Sequence, residues 1–203
     1  MRVTVIDYKA GNLTSVLKTL RHLGAETIVT DSDLSLIESA ECIVLPGVGN
    51  FAATARLDAT GMTGTVRAAI NKGTPFLGIC VGMQWLFSGS SEAPEQPGLG
   101  AFPEACTHFA ESTEKVPHVG WNSLEIRPDS KLLAGVEKGE YVYFTHSFKA
   151  PVIPDTAAET FYIEPFTAAV ERGNVMGTQF HPEKSGATGL KILTNFLNWS
   201  ATC

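Results

Sequence analysis

The sequence predicts an α/β fold in which an open, mostly parallel sheet carries helices on both faces. Over about the first ninety residues, short β-branched runs alternate with helical patterns, the rhythm of parallel strands joined by helical crossovers. From about residue 98 to 179, the chain changes to short extended pieces with frequent Pro and Gly. This change predicts that antiparallel strands are added to the sheet in the C-terminal half.

The first crossover begins with a strand at residues 3–6 and continues into a helix. Asn12 is a suitable N-cap for this helix, and Gly24 is a suitable stop. The apolar residues that recur at helical spacing, and so form its buried face, are Leu13, Val16, Leu17, Leu20 and Leu23.

Further crossovers lead to a strand that ends at Cys80, after which residues 83–87 have a helical pattern. A helix before that strand stops at Gly73. The predicted elements on the way are strands at 27–29 and 42–45, helices at 34–40 and 66–70, and a Pro-Gly-Val-Gly turn at 46–49.

The C-terminal half supplies extended runs at residues 141–144 and 168–171 and a closing helix over 189–199. Residues 88–98 are rich in Ser, Glu and Pro, which predicts a loop beside the site. Ligands in open parallel sheets bind beyond the carboxyl ends of the strands, so the 46–49 turn and Cys80 are expected to share one crevice.

Composition limits the class of protein. With 203 residues, 44% of them hydrophobic, the chain is expected to form one domain, residues 1–203. A net charge of −6 argues against nucleic acid and anionic membranes as partners. The apolar run before Asp7 is too short for a signal peptide. The four cysteines are scattered and lack metal or disulfide spacing, so we expect a reducing cytoplasm and no metal.

Cys80 stands between glycines, in Gly-Ile-Cys-Val-Gly at residues 78–82, where an apolar strand gives way to a helical pattern. Small neighbours permit the sharp turn that presents a nucleophile, and the N–H groups at the start of the following helix favour a thiolate. Cys80 is therefore a candidate covalent catalyst. The alternative is a small buried apolar residue, the commoner role of a free cysteine.

A second segment, Gln-Phe-His-Pro-Glu-Lys-Ser at residues 179–185, supplies a base and an acid. His181 could exchange the proton that a thiol nucleophile requires, and Glu183 could orient the imidazole and stabilise its charged form. Two residues of separation place both side chains on one side of an extended segment. The alternative is a polar surface turn.

The order of these motifs resembles the class I, triad-type glutamine amidotransferases. Longer segments resemble the imidazole glycerol phosphate synthase branch of that family: Pro-Gly-Val-Gly-Asn-Phe at 46–51, Lys-Val-Pro-His-Val-Gly-Trp-Asn at 115–122, Tyr-Phe-Thr-His-Ser at 143–147 and His-Pro-Glu-Lys-Ser at 181–185. The resemblance spans essentially the whole chain. It implies a flavodoxin-like doubly wound fold.

The same resemblance implies an activity. Cys80, His181 and Glu183 would form a triad that hydrolyses L-glutamine to glutamate and ammonia without a cofactor. The ammonia would pass to a separate cyclase subunit, a (βα)₈ barrel bound as a heterodimer, in histidine biosynthesis. The chain itself has neither a P-loop nor a Gly-x-Gly-x-x-Gly motif that would bind a nucleotide.

The resemblance also assigns an oxyanion hole to two backbone segments. One donor is the N–H of Val81, beside the nucleophile, and the other comes from the turn formed by Gly47, Val48 and Gly49. Gly47 and Gly49 would also border the bound glutamine. Since glycine tolerates positive φ, the peptide at Val48 could flip to supply or remove its donor. A plain turn at the end of a strand explains these glycines equally well.

Four residues match positions that hold the substrate in the family. Gln84 and Glu92 would contact the amide and amino ends of glutamine, and His146 and Ser147 would line the pocket through backbone groups. The alternative for Gln84 and Glu92 is an ordinary exposed position on a helix and in a loop.

Asn12, Trp121, Tyr143 and Lys184 match positions that face the cyclase in the family. Aromatic residues commonly dominate protein interfaces, although Trp121 could instead be a core aromatic. Lys184 directly follows the triad acid, so a partner carboxylate could reach the edge of the active site through it.

Several residues depart from the family pattern. Lys9 and Ala10 stand where glycine commonly follows the tyrosine, and Thr145 and Phe148 replace a usual valine and tyrosine. These departures affect loop conformation and the hydrogen bonds of the pocket rather than the triad.

Three competing functions also fit the sequence. The chain could be a glutaminase that serves another acceptor, against which the Pro-His-Val-Gly-Trp-Asn segment argues. It could be a non-catalytic activator or scaffold of a barrel protein, which would have no need of Cys80, His181 and Glu183. It could also be an independent thiol hydrolase that works without a partner.

Overall fold

A mostly parallel sheet of eight strands forms the centre of the computed structural model, which describes residues 1–202. In chain order, the strands are β1 (Arg2–Ile6), β2 (Glu26–Thr30), β3 (Cys42–Gly47), β4 (Phe76–Cys80), β5 (Thr107–His108), β6 (His118–Ser123), β7 (Glu125–Ile126), β8 (Tyr141–His146), β9 (Phe148–Lys149), β10 (Thr156–Tyr162), β11 (Glu164–Arg172) and β12 (Val175–Thr178).

The helices lie between the parallel strands and at the C-terminus. They are α1 (Leu13–His22), α2 (Ser35–Glu38), α3 (Ala55–Ala59), α4 (Met62–Asn71), α5 (Val81–Gln84) and α6 (Gly186–Ser200), with 3₁₀ turns at Phe51–Thr54 and Pro182–Lys184.

The strand order in the central sheet is β2-β1-β3-β4-β12-β11-β10-β7. The first five strands in this order pair in parallel, and β11, β10 and β7 add antiparallel pairs at one side. Two small antiparallel sheets, β5-β9 and β6-β8, complete the structure. Every residue of β3 and β4 is buried, as expected for strands covered on both faces. The predicted fold class is confirmed.

The two residues predicted to begin and end the first helix, Asn12 and Gly24, act as predicted. The side chain of Asn12 accepts a hydrogen bond from the Ser15 N–H and caps α1. Gly24 ends the turn after α1 with φ +85°, a conformation that glycine adopts without steric cost.

Two helices differ in length from the prediction. The helix predicted at 83–87 is only the single turn α5, because the next carbonyls bond elsewhere. Those of Trp85, Leu86 and Phe87 accept hydrogen bonds from the N–H groups of residues 99, 102 and 100 respectively. The closing helix α6 begins three residues earlier than the predicted 189.

The strand order of the central sheet brings the predicted site residues together at one edge. Strands β3 and β4 run in parallel and in register, so Gly47 lies directly opposite Cys80 at their carboxyl ends. Strand β12, on the other side of β4, ends just before the segment that carries His181. The shared crevice expected from the sequence therefore lies at this edge of the sheet.

Candidate active site

Cys80 lies at a strained turn between β4 and α5. Its φ of +54° and ψ of −109° fall in a region that residues with a side chain rarely adopt. A Cβ on Gly78 would overlap the carbonyl of Gly82, and a Cβ on Gly82 would overlap the carbonyl of Leu45. Neither position can therefore accept a residue larger than glycine, because the chain turns sharply at the cysteine.

The other described cysteines are poor candidates for a nucleophile. Burial raises the pKa of the Cys42 thiol to about 12, and burial likewise raises that of Cys106. Neither forms a disulfide. Cys203 lies outside the described residues. Cys80 alone among residues 1–202 combines a thiol with an adjoining histidine and carboxylate pair.

His181 and Glu183 form a buried hydrogen-bonded pair. The His181 Nδ1 lies 2.9 Å from Glu183 Oε1, and both side chains are only 1% exposed. The expectation of an extended segment was wrong, because Pro182–Lys184 is a 3₁₀ turn that starts at His181. Hydrogen bonds fix this turn: the His181 N–H donates to the Tyr143 carbonyl, and the Ser185 hydroxyl donates to the His181 carbonyl.

The surroundings of His181 favour its charged form. Burial by itself lowers the pKa of His181, but its interactions with Cys80 and Glu183 outweigh burial and raise the pKa to about 10. Its Nε2 atom is buried and makes no hydrogen bond with the described residues. This nitrogen is therefore free to exchange a proton with the sulfur or with a bound molecule.

Cys80 opens onto a cavity of about 230 Å³. Seven predicted site residues line it with Cys80, but Gly47 does not. Sequence reasoning missed Pro117 as a lining residue and treated Thr145 and Phe148 only as departures from a pattern. Thr145 and Phe148 adjoin the predicted residues His146 and Ser147 in the sequence, and this neighbourhood could have identified them as lining residues. The full lining is Val48, Gly49, Cys80, Val81, Gln84, Glu92, Pro117, Thr145, His146, Ser147 and Phe148.

The two glycines of the 46–49 turn serve different purposes. A Cβ on Gly47 would overlap the hydroxyl of Tyr8, so close approach requires glycine there. Gly49 has open space around it but takes φ +108°, so its conformation requires glycine. The Tyr8 hydroxyl is buried without a hydrogen-bond partner among the described residues. Burial and the charge of Cys80 raise its pKa.

Gln84 and Glu92 both reach the cavity and are already held by protein groups. Gln84 is 2% exposed, so the alternative of an exposed helix position was wrong. Its amide nitrogen donates to the Phe148 carbonyl at 2.8 Å and to Gln179 Oε1 at 3.0 Å. Glu92 Oε2 accepts the N–H of Phe51 at 2.8 Å. Gln179 is a further residue to which sequence reasoning gave no role.

His146 lines the cavity and belongs to a second, uncharged histidine group together with His118. Its Nε2 lies 3.2 Å from His118 Nδ1, and its Nδ1 lies 2.9 Å from the Phe148 carbonyl. Burial lowers the pKa of His118 to about 4 and that of His146 to about 3. The ring of His118 stacks between Phe144 and Tyr162.

Trp121, Tyr143 and Lys184 form one surface patch near the triad. Trp121 is 54% exposed, so the alternative of a core aromatic was wrong. Its ring meets that of Tyr143 edge to face, with 6.1 Å between centroids. The ammonium of Lys184 lies 5.6 Å from the centre of the Tyr143 ring. Asn12 caps α1, which packs against the 3₁₀ turn that carries Lys184.

Lys9, one departure from the family pattern, takes the backbone conformation that suits glycine. Its φ is +64°, in the left-handed region. Its ammonium pairs with Asp7 at 3.0 Å and with Asp31 at 2.8 Å. These ion pairs hold the strained residue in place.

Within residues 1–202, no three His, Cys, Asp or Glu side chains are grouped to hold a metal ion. Over the same residues, no helix has the length and apolar character needed to cross a membrane.

The family model and the curated relatives that match this chain agree on one family. Residues 4–199 match the family model described as glutamine amidotransferase class-I. The imidazole glycerol phosphate synthase subunit HisH of Deinococcus radiodurans is 46% identical, over 96% of this chain and 92% of its own. The subunit of the same name from Methanothermobacter thermautotrophicus is also 46% identical, over 96% and 97%. A solved structure of a glutamine amidotransferase superposes with a TM-score of 0.77 and 20% identity, covering 98% of both chains, and so supports the fold alone.

Proposed function

Because this chain belongs to the class-I glutamine amidotransferase family, we propose that it is the glutaminase subunit of an imidazole glycerol phosphate synthase. It hydrolyses L-glutamine to glutamate and ammonia and delivers the ammonia to a cyclase subunit. Two relatives that are 46% identical over nearly their full length carry that subunit name. The family match over residues 4–199 supports one glutamine amidotransferase domain.

The observation that carries the proposal is the buried His181–Glu183 pair beside a strained cysteine that opens onto a cavity. A folded protein gains little from burying such a pair, since ions lose their hydration there. A strained backbone at a nucleophile and a histidine with a strongly raised pKa are typical of a catalytic site.

The chemistry follows from these groups. The Cys80 sulfur attacks the side-chain amide carbon of glutamine, and a tetrahedral intermediate forms. The His181 imidazolium gives its proton to the departing nitrogen, so ammonia leaves and a thioester remains. Neutral His181 then takes a proton from water, and the resulting hydroxide attacks the thioester. Glutamate departs, and the cysteine and histidine return to their starting states.

Two backbone segments face the developing oxyanion. Val81 is the first residue of α5, so its N–H has no partner within the helix and is available beside the nucleophile. The turn at Gly47, Val48 and Gly49 lies across the same crevice, because Gly47 pairs with Cys80. Removing one such donor typically slows acyl transfer by about a hundredfold or more.

Gln84 and Glu92 hold the amino-acid part of glutamine. Both hydrogens of the Gln84 amide are used within the protein, which leaves its carbonyl oxygen to accept a hydrogen bond. One carboxylate oxygen of Glu92 accepts the N–H of Phe51, and the other oxygen is left to accept a hydrogen bond from the substrate ammonium. His146 and Ser147 complete the pocket through their backbone groups.

The cyclase docks on the patch of Trp121, Tyr143 and Lys184, with Asn12 at its edge. An exposed tryptophan beside a tyrosine suits an interface anchor. Lys184 adjoins Glu183 in sequence, so docking there reaches the triad directly. The complex works in the cytoplasm, where a catalytic thiol stays reduced.

The test is the release of glutamate from glutamine by the purified chain, alone and with a cognate cyclase subunit plus its ribotide ligand. We expect strong activity only in the complex, and none in the complex of Cys80→Ala. Cys42→Ala is the matched control, because it removes a buried thiol at the far end of β3 and should retain activity within about twofold.

Each other result identifies a competing function. Full activity without the partner would indicate an independent thiol hydrolase. No glutamate under any condition would leave a non-catalytic activator. Activation by the cyclase of a different pathway, but not by this one, would indicate another acceptor.

A further inference from the structure

The side chain of Gln179 reaches the sulfur of Cys80. The amide nitrogen of Gln179 lies 3.6 Å from Cys80 Sγ, within the range of a hydrogen bond to sulfur. Gln179 is completely buried between β12 and the 3₁₀ turn that begins at His181. It does not line the cavity, so it does not touch a bound substrate.

The surrounding hydrogen bonds fix which end of the Gln179 amide faces the sulfur. The Phe148 carbonyl can only accept, so the NH₂ group of Gln84 must point toward it. The same NH₂ group lies 3.0 Å from Gln179 Oε1, which accepts its second hydrogen. The NH₂ group of Gln179 is therefore left for Cys80, and it can only donate.

The pair of His118 and His146 also holds the Phe148 carbonyl, the acceptor that orients Gln84. His146 Nδ1 donates to that carbonyl, so its Nε2 must accept from His118 Nδ1. His118 Nε2 then accepts from the side-chain amide of Asn122, at 3.4 Å. Because burial lowers the pKa of both histidines to about 4 or below, this arrangement of protons persists at neutral pH.

We propose that Gln179 is a further catalytic residue, which donates an N–H to the Cys80 sulfur, and that Gln84 is the positioning residue that orients it. This proposal rests on the proposed glutaminase function. The donor stabilises the sulfur as an anion from the side opposite to solvent and aims it at the cavity. An N–H bond to a charged acceptor is stronger than one to a neutral acceptor, so it favours the attacking form.

The first test is Gln179→Met, which nearly preserves volume and removes the donor. We expect kcat in the cyclase complex to fall by about 10- to 100-fold, with KM changed by less than about threefold, because Gln179 lies outside the cavity. Gln84→Met should change both kcat and KM, since Gln84 lines the cavity and also orients Gln179.

Alkylation of Cys80 by iodoacetamide gives a readout that needs neither glutamine nor the cyclase. At pH 5.5 we expect Gln179→Met to slow alkylation several-fold, because the sulfur loses the N–H that holds it for attack. Mass analysis of the Cys80 peptide separates this reaction from that of other cysteines. Gln96→Met is the matched control, because Gln96 is a half-buried glutamine whose amide donates to Asp58 instead.

The two hypotheses fail in different ways. If the wild-type complex releases no glutamate, the proposed function fails, while the alkylation rates still test Gln179. If Gln179→Met keeps kcat within twofold and Cys80 reacts at the wild-type rate, the role of Gln179 is overturned. It is equally overturned if the loss of activity only follows the fraction of unfolded protein.

Discussion

The region around Cys80 contains two groups of buried histidines with opposite charge states. His181 is 1% exposed, and its pKa is raised to about 10. His118 and His146 are similarly buried, but their pKa values fall to about 4 and 3. His181 faces Cys80 and the carboxylate of Glu183, whereas the pair faces aromatic rings and a neutral carbonyl.

The difference shows that burial alone removes the charge of a histidine and that anionic neighbours restore it. The two outcomes suit two purposes. In the proposed reaction, the charged histidine holds a proton for the leaving nitrogen, and the neutral pair fixes the direction of the hydrogen bonds that reach Gln179. Both purposes depend on neighbours that come from distant parts of the chain.

The largest effect is expected when the anionic neighbour is neutralised by Glu183→Gln. The variant keeps the size of the side chain but removes the charge that stabilises the imidazolium, so kcat should fall by about ten-thousand-fold. The rate of glutamate release in the cyclase complex measures it. Glu159→Gln, which alters a partly exposed ion pair with Arg127, should leave kcat within about twofold. A Glu183→Gln enzyme within tenfold of the native rate would contradict the assigned role.

Without its anionic neighbours, His181 should behave like His146. In Cys80→Ala combined with Glu183→Gln, both favourable interactions are lost and burial remains, so the pKa of His181 should drop from about 10 to below 6.5. A pH titration of the ring signals by NMR measures it. In each single variant, the pKa of His181 should lie between its values in the native protein and in the double variant. A pKa that stays above 6.5 in the double variant would show that another group supports the charge.

A smaller effect is expected from the neutral pair on stability in acid. The folded pKa values of His118 and His146 lie below 6.5, so their contribution is complete above pH 6.5 and is lost as the pH falls toward 4 and 3. Each histidine should lower the free energy of unfolding by about 1.4 kcal/mol per pH unit in that range. His181 acts in the opposite direction, since its contribution is complete below pH 6.5 and is lost as the pH rises toward 10.

His118→Phe tests this dependence. Phenylalanine keeps the ring stack with Phe144 and Tyr162 but cannot take up a proton. Urea unfolding between pH 7 and pH 4.5 should give a slope against pH that is smaller by about 1.4 kcal/mol per unit. The variant should be less stable at pH 7, because His146 Nε2 loses its donor. An unchanged slope would mean that His118 does not titrate on unfolding.

Sequence reasoning succeeded where the signal was local. Glycines on both sides of Cys80 indicated a turn that leaves no room for larger residues, and Asn12 indicated a helix start. It erred where distant segments competed with a local pattern. The helical pattern at 83–87 gives one turn of helix, because carbonyls there bond to the 99–102 segment instead. The roles of Gln179 and His118 had no local signal, since their partners lie far away in sequence.

The sequence by itself determined the α/β order of elements, the turn at Cys80 and the nearness of His181 to Glu183. These features depend on the conformational limits of single residues and on spacings of a few positions. The tertiary structure alone decided which histidines carry charge, which amide faces the sulfur and that Trp121 is exposed. Charge and hydrogen-bond direction depend on desolvation and on the neighbours that folding brings together, and neither is written in the chemistry of an isolated side chain.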